Sequence, residues 1–287
     1  MTPEQYCQDK TAKSGSSFYY SFLFLPKKKR LAITALYAFC REVDDIADAE
    51  MENSIKRVKL EWWRSEIESL FAGSPNHPVS HALYTSIHDF KLEKKYFLEI
   101  IDGMEMDLEK VRFADFEALN LYCYRVAGVV GILSATIFGY KDPQTLEYAK
   151  KLGLALQLTN IIRDVYEDSL RNRLYLPLDE LEQFGVSEED IFKRKDSKSF
   201  HQLMCFHTER AHKCYRDAFD TLPAKDRYRQ KTGIIMSAIY ENTLNEMELD
   251  GLQVLKHKVV IPAPRKIIIA VKTFLKEWWL YLKYKMS

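Results

Sequence analysis

Residues 152–168 read LGLALQLTNIIRDVYED, apolar around most of a helix yet threaded with polar side chains at regular intervals. At 100° per residue, Gly153, Gln157, Asn160, Asp164 and Asp168 share one face, and leucines and isoleucines fill much of the remainder. A helix this apolar is predicted to be buried. Buried polar groups without partners cost about 1–3 kcal/mol each, and charged ones more. Asp164 and Asp168, one turn apart, also repel each other by about 0.2–0.5 kcal/mol. The stripe therefore predicts a polar cavity with something bound in it.

The same helical period runs through the other segments, and strand-like alternation is almost absent. Helices are predicted over about 3–13, 27–50, 53–72, 78–90, 93–109, 115–138, 143–170, 178–183, 187–194, 197–221, 224–255 and 264–284. Breakers such as AGSPNHP, GYKDP, TLPAKD and VVIPAP separate them. No repeat or low-complexity linker interrupts the pattern. The expectation is an all-α fold, one domain over 1–287, around a large central cavity that a chain of this length can enclose.

The formal net charge of +1 points away from a nucleic-acid partner. Cys7, Cys40, Cys123, Cys205 and Cys214 are scattered, odd in number and without C-x-x-C spacing. Reduced thiols in a cytoplasmic protein are expected. His77 and His81 have helical ligand spacing, but the proline between them argues against a zinc site. The N-terminal MTPEQYCQDKTAKSGSSF has no apolar core, and no uninterrupted apolar run reaches bilayer length, so a soluble or peripheral protein is expected.

A second acidic cluster changes the meaning of the first. In YAFCREVDDIADAE, residues 37–50, Tyr37, Arg41, Asp44 and Asp48 form one stripe, with Asp45 turned roughly 80° away. Alone, such a cluster is usually a solvated face. Two D-x-x-x-D pairs on separate apolar helices make little sense until a cation is bound. All the candidate ligands are oxygens, which suits a hard cation such as Mg²⁺ held by one or two carboxylates plus substrate phosphates. Arg41, Arg163, Arg171 and Arg173 flank the acids and could clamp phosphate oxygens. No Walker or dinucleotide fingerprint and no nucleophile elbow competes with this reading.

The segments SGSSFYYSFLFLP, YAFCREVDDIAD, YCYRVAGVVG, QLTNIIRDVYED and RLYLP, in that order, resemble the squalene/phytoene synthase family, the head-to-head prenyl-diphosphate condensing enzymes. The likeness is strongest to bacterial hopanoid-pathway presqualene diphosphate synthases, through YCQDKTAKSGSSFYYSFLFLP and the stretch from DGLQVLKHKVVIPAPRK onward. The resemblance implies an isoprenoid-synthase-type helical bundle. It assigns Asp44, Asp45, Asp48, Asp164 and Asp168, with Asn160, to a cluster of Mg²⁺ ions. Arg41 and Arg163 would support metal and diphosphate, with Tyr37, Gln157, Arg173, Tyr175, Tyr240 and Lys258 also on the substrate. Ser17 and Phe18 match a flap over one diphosphate. Tyr122 matches an acid/base tyrosine, with released diphosphate as the alternative base. Tyr166 stands where many members have glycine and is expected to alter the cavity mouth.

The implied reaction joins two farnesyl diphosphates into presqualene diphosphate for squalene and hopanoid synthesis, without NADPH. Phytoene, dehydrosqualene or squalene are the alternative products. A catalytically retired, membrane-associated assembly factor is the alternative of another class, and a class I cyclase or head-to-tail enzyme is disfavoured by YCYRVAGVVG. The C-terminal RKIIIAVKTFLKEWWLYLKYK sets Lys272, Lys276 and Lys283 in one row beside bulky apolar residues. It suits either a core-packed helix or an interfacial one at the inner face of the cell membrane, handing oily products to downstream enzymes of the squalene pathway.

Overall fold

The computed structural model describes residues 1–13, 21–109 and 112–286. The described residues form helices joined by turns, with no strand among them. In chain order these are α1 (Pro3–Lys13), α2 (Lys27–Asp48), α3 (Asn53–Phe71), α4 (Pro78–Asp89), α5 (Lys94–Met106), α6 (Phe116–Phe138) and α7 (Gln144–Leu170). Then come α8 (Leu178–Phe184), α9 (Glu188–Phe192), α10 (Lys198–Thr221), α11 (Ala224–Arg227), α12 (Lys231–Leu249) and α13 (Ala263–Met286). The fold is all-α.

Two apolar cores flank a cavity. On one side α1–α5 close around Phe39, which meets Trp63 and Phe97 edge-on at ring distances of 5.5 and 5.4 Å. On the other, α7, α10 and α12 pack through residues such as Leu156, Leu203 and Leu244. Helix α6 runs between them and contributes to both. By length and composition α6 is apolar enough to cross a bilayer, yet half of that apolar stretch is buried within the fold.

Helices α6 and α7 meet backbone to backbone. A Cβ on Gly131 would lie 2.3 Å from the Ala149 carbonyl oxygen, and one on Gly153 2.5 Å from that of Ala127. Close packing therefore explains both glycines, and both also line the apolar end of the cavity. Helix α6 carries a π-helical turn at Tyr124–Gly128. Such turns disturb the regular ladder and are common where a helix lines a functional site.

The stretch 224–255, expected to be one helix, is broken after Arg227 and ends at Leu249. Buried Asp226 accepts hydrogen bonds from the backbone N–H groups of Lys141 (2.8 Å) and Asp142 (2.7 Å) and from Thr145 Oγ1 (3.0 Å). Gln230 Nε2 donates to the carbonyls of Ala135 (3.3 Å) and Gly139 (3.0 Å). These long-range bonds fasten the α6–α7 corner and outweigh continuous helical pairing. Positive φ angles at Gly251 (74°) and Leu252 (54°) turn the chain after α12.

Candidate active site

Helices α2 and α7 place their acidic stripes on one cavity of about 600 Å³. Lining it from α2 are Tyr37, Arg41, Asp44 and Asp48, and from α7 Gln157, Asn160, Arg163, Asp164 and Asp168. Arg171, Arg173 and Tyr175 arrive from the turn after α7, Tyr122 from α6, Tyr240 from α12 and Lys258 from the segment before α13. Ser17 and Phe18 lie outside the described residues.

Each acidic motif is already answered by bases. Arg41 forks across Asp44 and Asp45. Arg173 donates to Asp48 (2.6 Å) and to the Ala47 carbonyl (3.1 Å), with Arg171 3.5 Å from the same carboxylate. Arg163 binds Asp164 through Nε (2.8 Å) and Nη2 (2.6 Å), and Lys258 bridges Asp164 (3.0 Å) and Glu167 (2.7 Å). Burial pulls the Arg163 and Arg173 guanidinium pKa values down, but Asp164 beside the first and Tyr175 and Asp48 beside the second outweigh it, so both are raised and stay charged. Asp45 does not line the cavity, and its outer oxygen pairs with Lys10 of α1 at 2.8 Å.

Asp168 carries no ion pair among the described residues. Burial first, then the charge of Asp164, push its pKa up to about 7. Burial likewise lifts Asp44 to about 6, with Arg41 pulling the other way and Asp48 adding to the rise. Asp164 is held below the usual range, its own desolvation being outweighed by Arg163 and Lys258. Buried Asn160 Oδ1 has no partner, while its Nδ2 reaches Gln157 at 3.3 Å. A wholly oxygen donor set, an orphaned amide oxygen and proton-hungry carboxylates fit a hard cation. No three acidic, histidine or cysteine side chains converge to chelate one unaided among the described residues. Mg²⁺ keeps waters and shares phosphate ligands, typically with one or two protein carboxylates.

Asp107, at the end of α5, was not legible in the sequence. It accepts from Tyr122 Oη (3.0 Å) and Tyr175 Oη (2.7 Å), and both tyrosine rings lie beside Phe113. Burial pushes its pKa up to about 6, and the two tyrosines and Arg173 oppose that rise. Its segment, GMEMDLEK, has no acidic partner at helical spacing. Only the approach of α6 and the turn after α7 reveals it. Tyr166 is turned away from the cavity, under the Arg194 guanidinium at 5.7 Å, instead of at the mouth as expected. Two residues past Asp164 on a helix is about 200° of rotation.

Val126, Val130, Gln157 and Asn160 also line a narrower apolar extension of about 120 Å³. Phe22, Phe138 and Tyr148 are among its walls, all nearly fully buried. A charged chamber thus adjoins an apolar pocket across four shared wall residues, an arrangement suited to an anionic head with an oily tail.

Residues 11–265 match the squalene/phytoene synthase family. A phytoene synthase of Arthrospira platensis is 36% identical over 278 residues, covering 91% of this chain and 89% of that protein. A 15-cis-phytoene synthase of Synechocystis is 34% identical over 274 residues, covering 91% and 81%. Among solved structures, a dehydrosqualene synthase in complex with ligand has a TM-score of 0.84 at 27% identity, covering 98% of this chain and 97% of that one. The squalene synthase HpnC from Alicyclobacillus acidocaldarius has a TM-score of 0.77 at 26% identity, covering 87% and 94%. The chain belongs to the squalene/phytoene synthase family of prenyltransferases, with their isoprenoid-synthase-type helical fold.

Proposed function

We propose that this enzyme condenses two farnesyl diphosphates head to head into presqualene diphosphate, releasing one diphosphate. The observation that carries the reading is the pair of acidic stripes on one chamber that adjoins an apolar pocket. Asp44, Asp48, Asp164 and Asp168, with Asn160, would hold Mg²⁺. Bound there, the metal lets carboxylates grip an anion and stabilises the departing diphosphate. Asp45, committed to Lys10 and Arg41, supports the motif from outside the chamber.

Arg41, Arg163, Arg171, Arg173 and Lys258 would then trade carboxylate partners for diphosphate oxygens, which guanidinium and ammonium groups also bind by charge-assisted hydrogen bonds. Once the C1–O bond of the first chain breaks, the allylic cation must meet no water. The apolar walls at Val126 and Val130 exclude it and leave the second chain's double bond as nucleophile. Closing the cyclopropane releases one proton. Tyr122 Oη can take that proton while its own passes to Asp107, whose raised pKa makes it a better acceptor than an ordinary carboxylate. Released diphosphate is the alternative base.

The identity to phytoene synthases supports a second reading, two geranylgeranyl diphosphates to phytoene. The aromatic side chains enclosing the apolar extension favour the shorter chain. Purified protein with Mg²⁺ and either farnesyl or geranylgeranyl diphosphate, with and without NADPH, decides between them by product identification. Presqualene diphosphate in both nucleotide conditions is the expected result. Phytoene would replace the substrate assignment, and no diphosphate release from either would remove the catalytic reading.

A further inference from the structure

Helix α13 packs on the fold with one face only. Its inner side carries Ala270 and Ile269 against Ile235 and Ile239, Phe274 stacked on Phe24 at 4.5 Å, and Tyr281 stacked on Tyr228 at 4.3 Å. Glu277, buried on that side, takes a two-pronged ion pair from Arg227, both contacts 2.8 Å. The outer side exposes Ile267, Ile268, Val271, Leu275, Trp278 and Leu282, each 39% or more accessible. At 100° per residue these, with Trp279, fill one unbroken stripe about 120° wide. Contiguous exposed apolar surface of this kind marks an interaction site.

Charge identifies what covers it. Arg265, Lys272, Lys276 and Lys283 run along one flank of the stripe, and the last three have no ion pair among the described residues. Glu277 is the only acid in the helix, and it points inward. An antiparallel second copy would set the lysine row against itself, and the helix exposes no acid to answer it in any pairing. A surface offering anionic groups above an apolar layer satisfies both features, and indoles on the stripe suit the boundary between them. The position fits as well. Val259, Val260, Ile261 and Lys266, at the entry to α13, line the catalytic chamber, and Val260 is itself exposed.

We infer that the outer face of α13 is a docking surface for an anionic lipid bilayer, seating the chamber mouth at the membrane. The inference stands apart from the choice of substrate, because binding is measured with no substrate present. Full-length protein is floated with vesicles of phosphatidylcholine alone or of phosphatidylcholine with phosphatidylglycerol. Capture by the anionic vesicles, weakened by salt, is expected, with a blue shift of tryptophan emission. The triple substitution Lys272→Gln, Lys276→Gln, Lys283→Gln should lower partitioning roughly a hundredfold, at about 1 kcal/mol per lysine. Leu275→Ser with Trp278→Ser should abolish capture. All these side chains are exposed, so circular dichroism and melting temperature should match the parent. Equal binding by parent and variants overturns the inference, as does absence of vesicle binding. So does a dimer in sedimentation that the same substitutions dissociate.

Discussion

In the proposed reaction, Asp107 is the residue on which proton handling turns. It receives two buried phenols at 3.0 and 2.7 Å, and its raised pKa keeps it near the point of accepting a proton at neutral pH. Asp107→Asn and Tyr122→Phe are each expected to lower kcat about a hundredfold, the usual worth of a positioned acid or base. The double variant should fall no further than the worse single, since the two act as one unit. Independent, additive losses in a steady-state diphosphate-release assay would separate them. In the same proposal, the acids assigned to the metal set the pH dependence. Asp168 and Asp44 bind protons more tightly folded than unfolded, with pKa values of about 7 and about 6 against an ordinary 3.8. Their ionisation therefore removes stability from the ligand-free fold as pH rises from 3.8 to about 7, whereas a cation needs them ionised. Activity is expected to climb through this window, and higher Mg²⁺ should move the rising limb to lower pH. A limb indifferent to Mg²⁺ would dissociate these groups from the metal.

Among the elements, the corner between α6 and α7 carries the positioning. Asp226 meets three donors from residues 141–145 while fully buried. Asp226→Ala would strand them, at about 1–3 kcal/mol for each donor left unsatisfied. A clear fall in urea midpoint is expected, with loss of activity tracking it, because α7 carries one of the two acidic stripes. An unchanged midpoint would show that the corner holds without this clasp. Helix α7 was legible because its apolar circumference and polar stripe are local, periodic facts about consecutive residues. The break after Arg227 was not, because Asp226 and Gln230 bond to residues more than eighty positions earlier. Asp107 was hidden for the same reason, and so was the place of Tyr166, whose contact with Arg194 joins residues far apart in the chain.

At the scale of the whole molecule, the chamber is lined by six acidic and six basic side chains among the described residues. The bases are Arg41, Arg163, Arg171, Arg173, Lys258 and Lys266, and the acids are Asp44, Asp48, Asp107, Asp164, Glu167 and Asp168. The formal charges of the lining thus balance, and much of the acid is paired with base. A cation arriving alone finds Asp44, Asp48 and Asp164 already paired with arginines, and an anion arriving alone competes with those same carboxylates for Arg41, Arg163 and Arg173. Together, each supplies what the other displaces. The consequence is positive heterotropic coupling, with reciprocal enhancement of the two affinities as linkage requires. Calorimetric titration should show Mg²⁺ binding weakly to the free protein and at least tenfold more tightly with inorganic diphosphate present, about 1.4 kcal/mol of coupling. The enzyme would then ignore the cell's abundant free magnesium and its free diphosphate alike, and respond only to their conjunction.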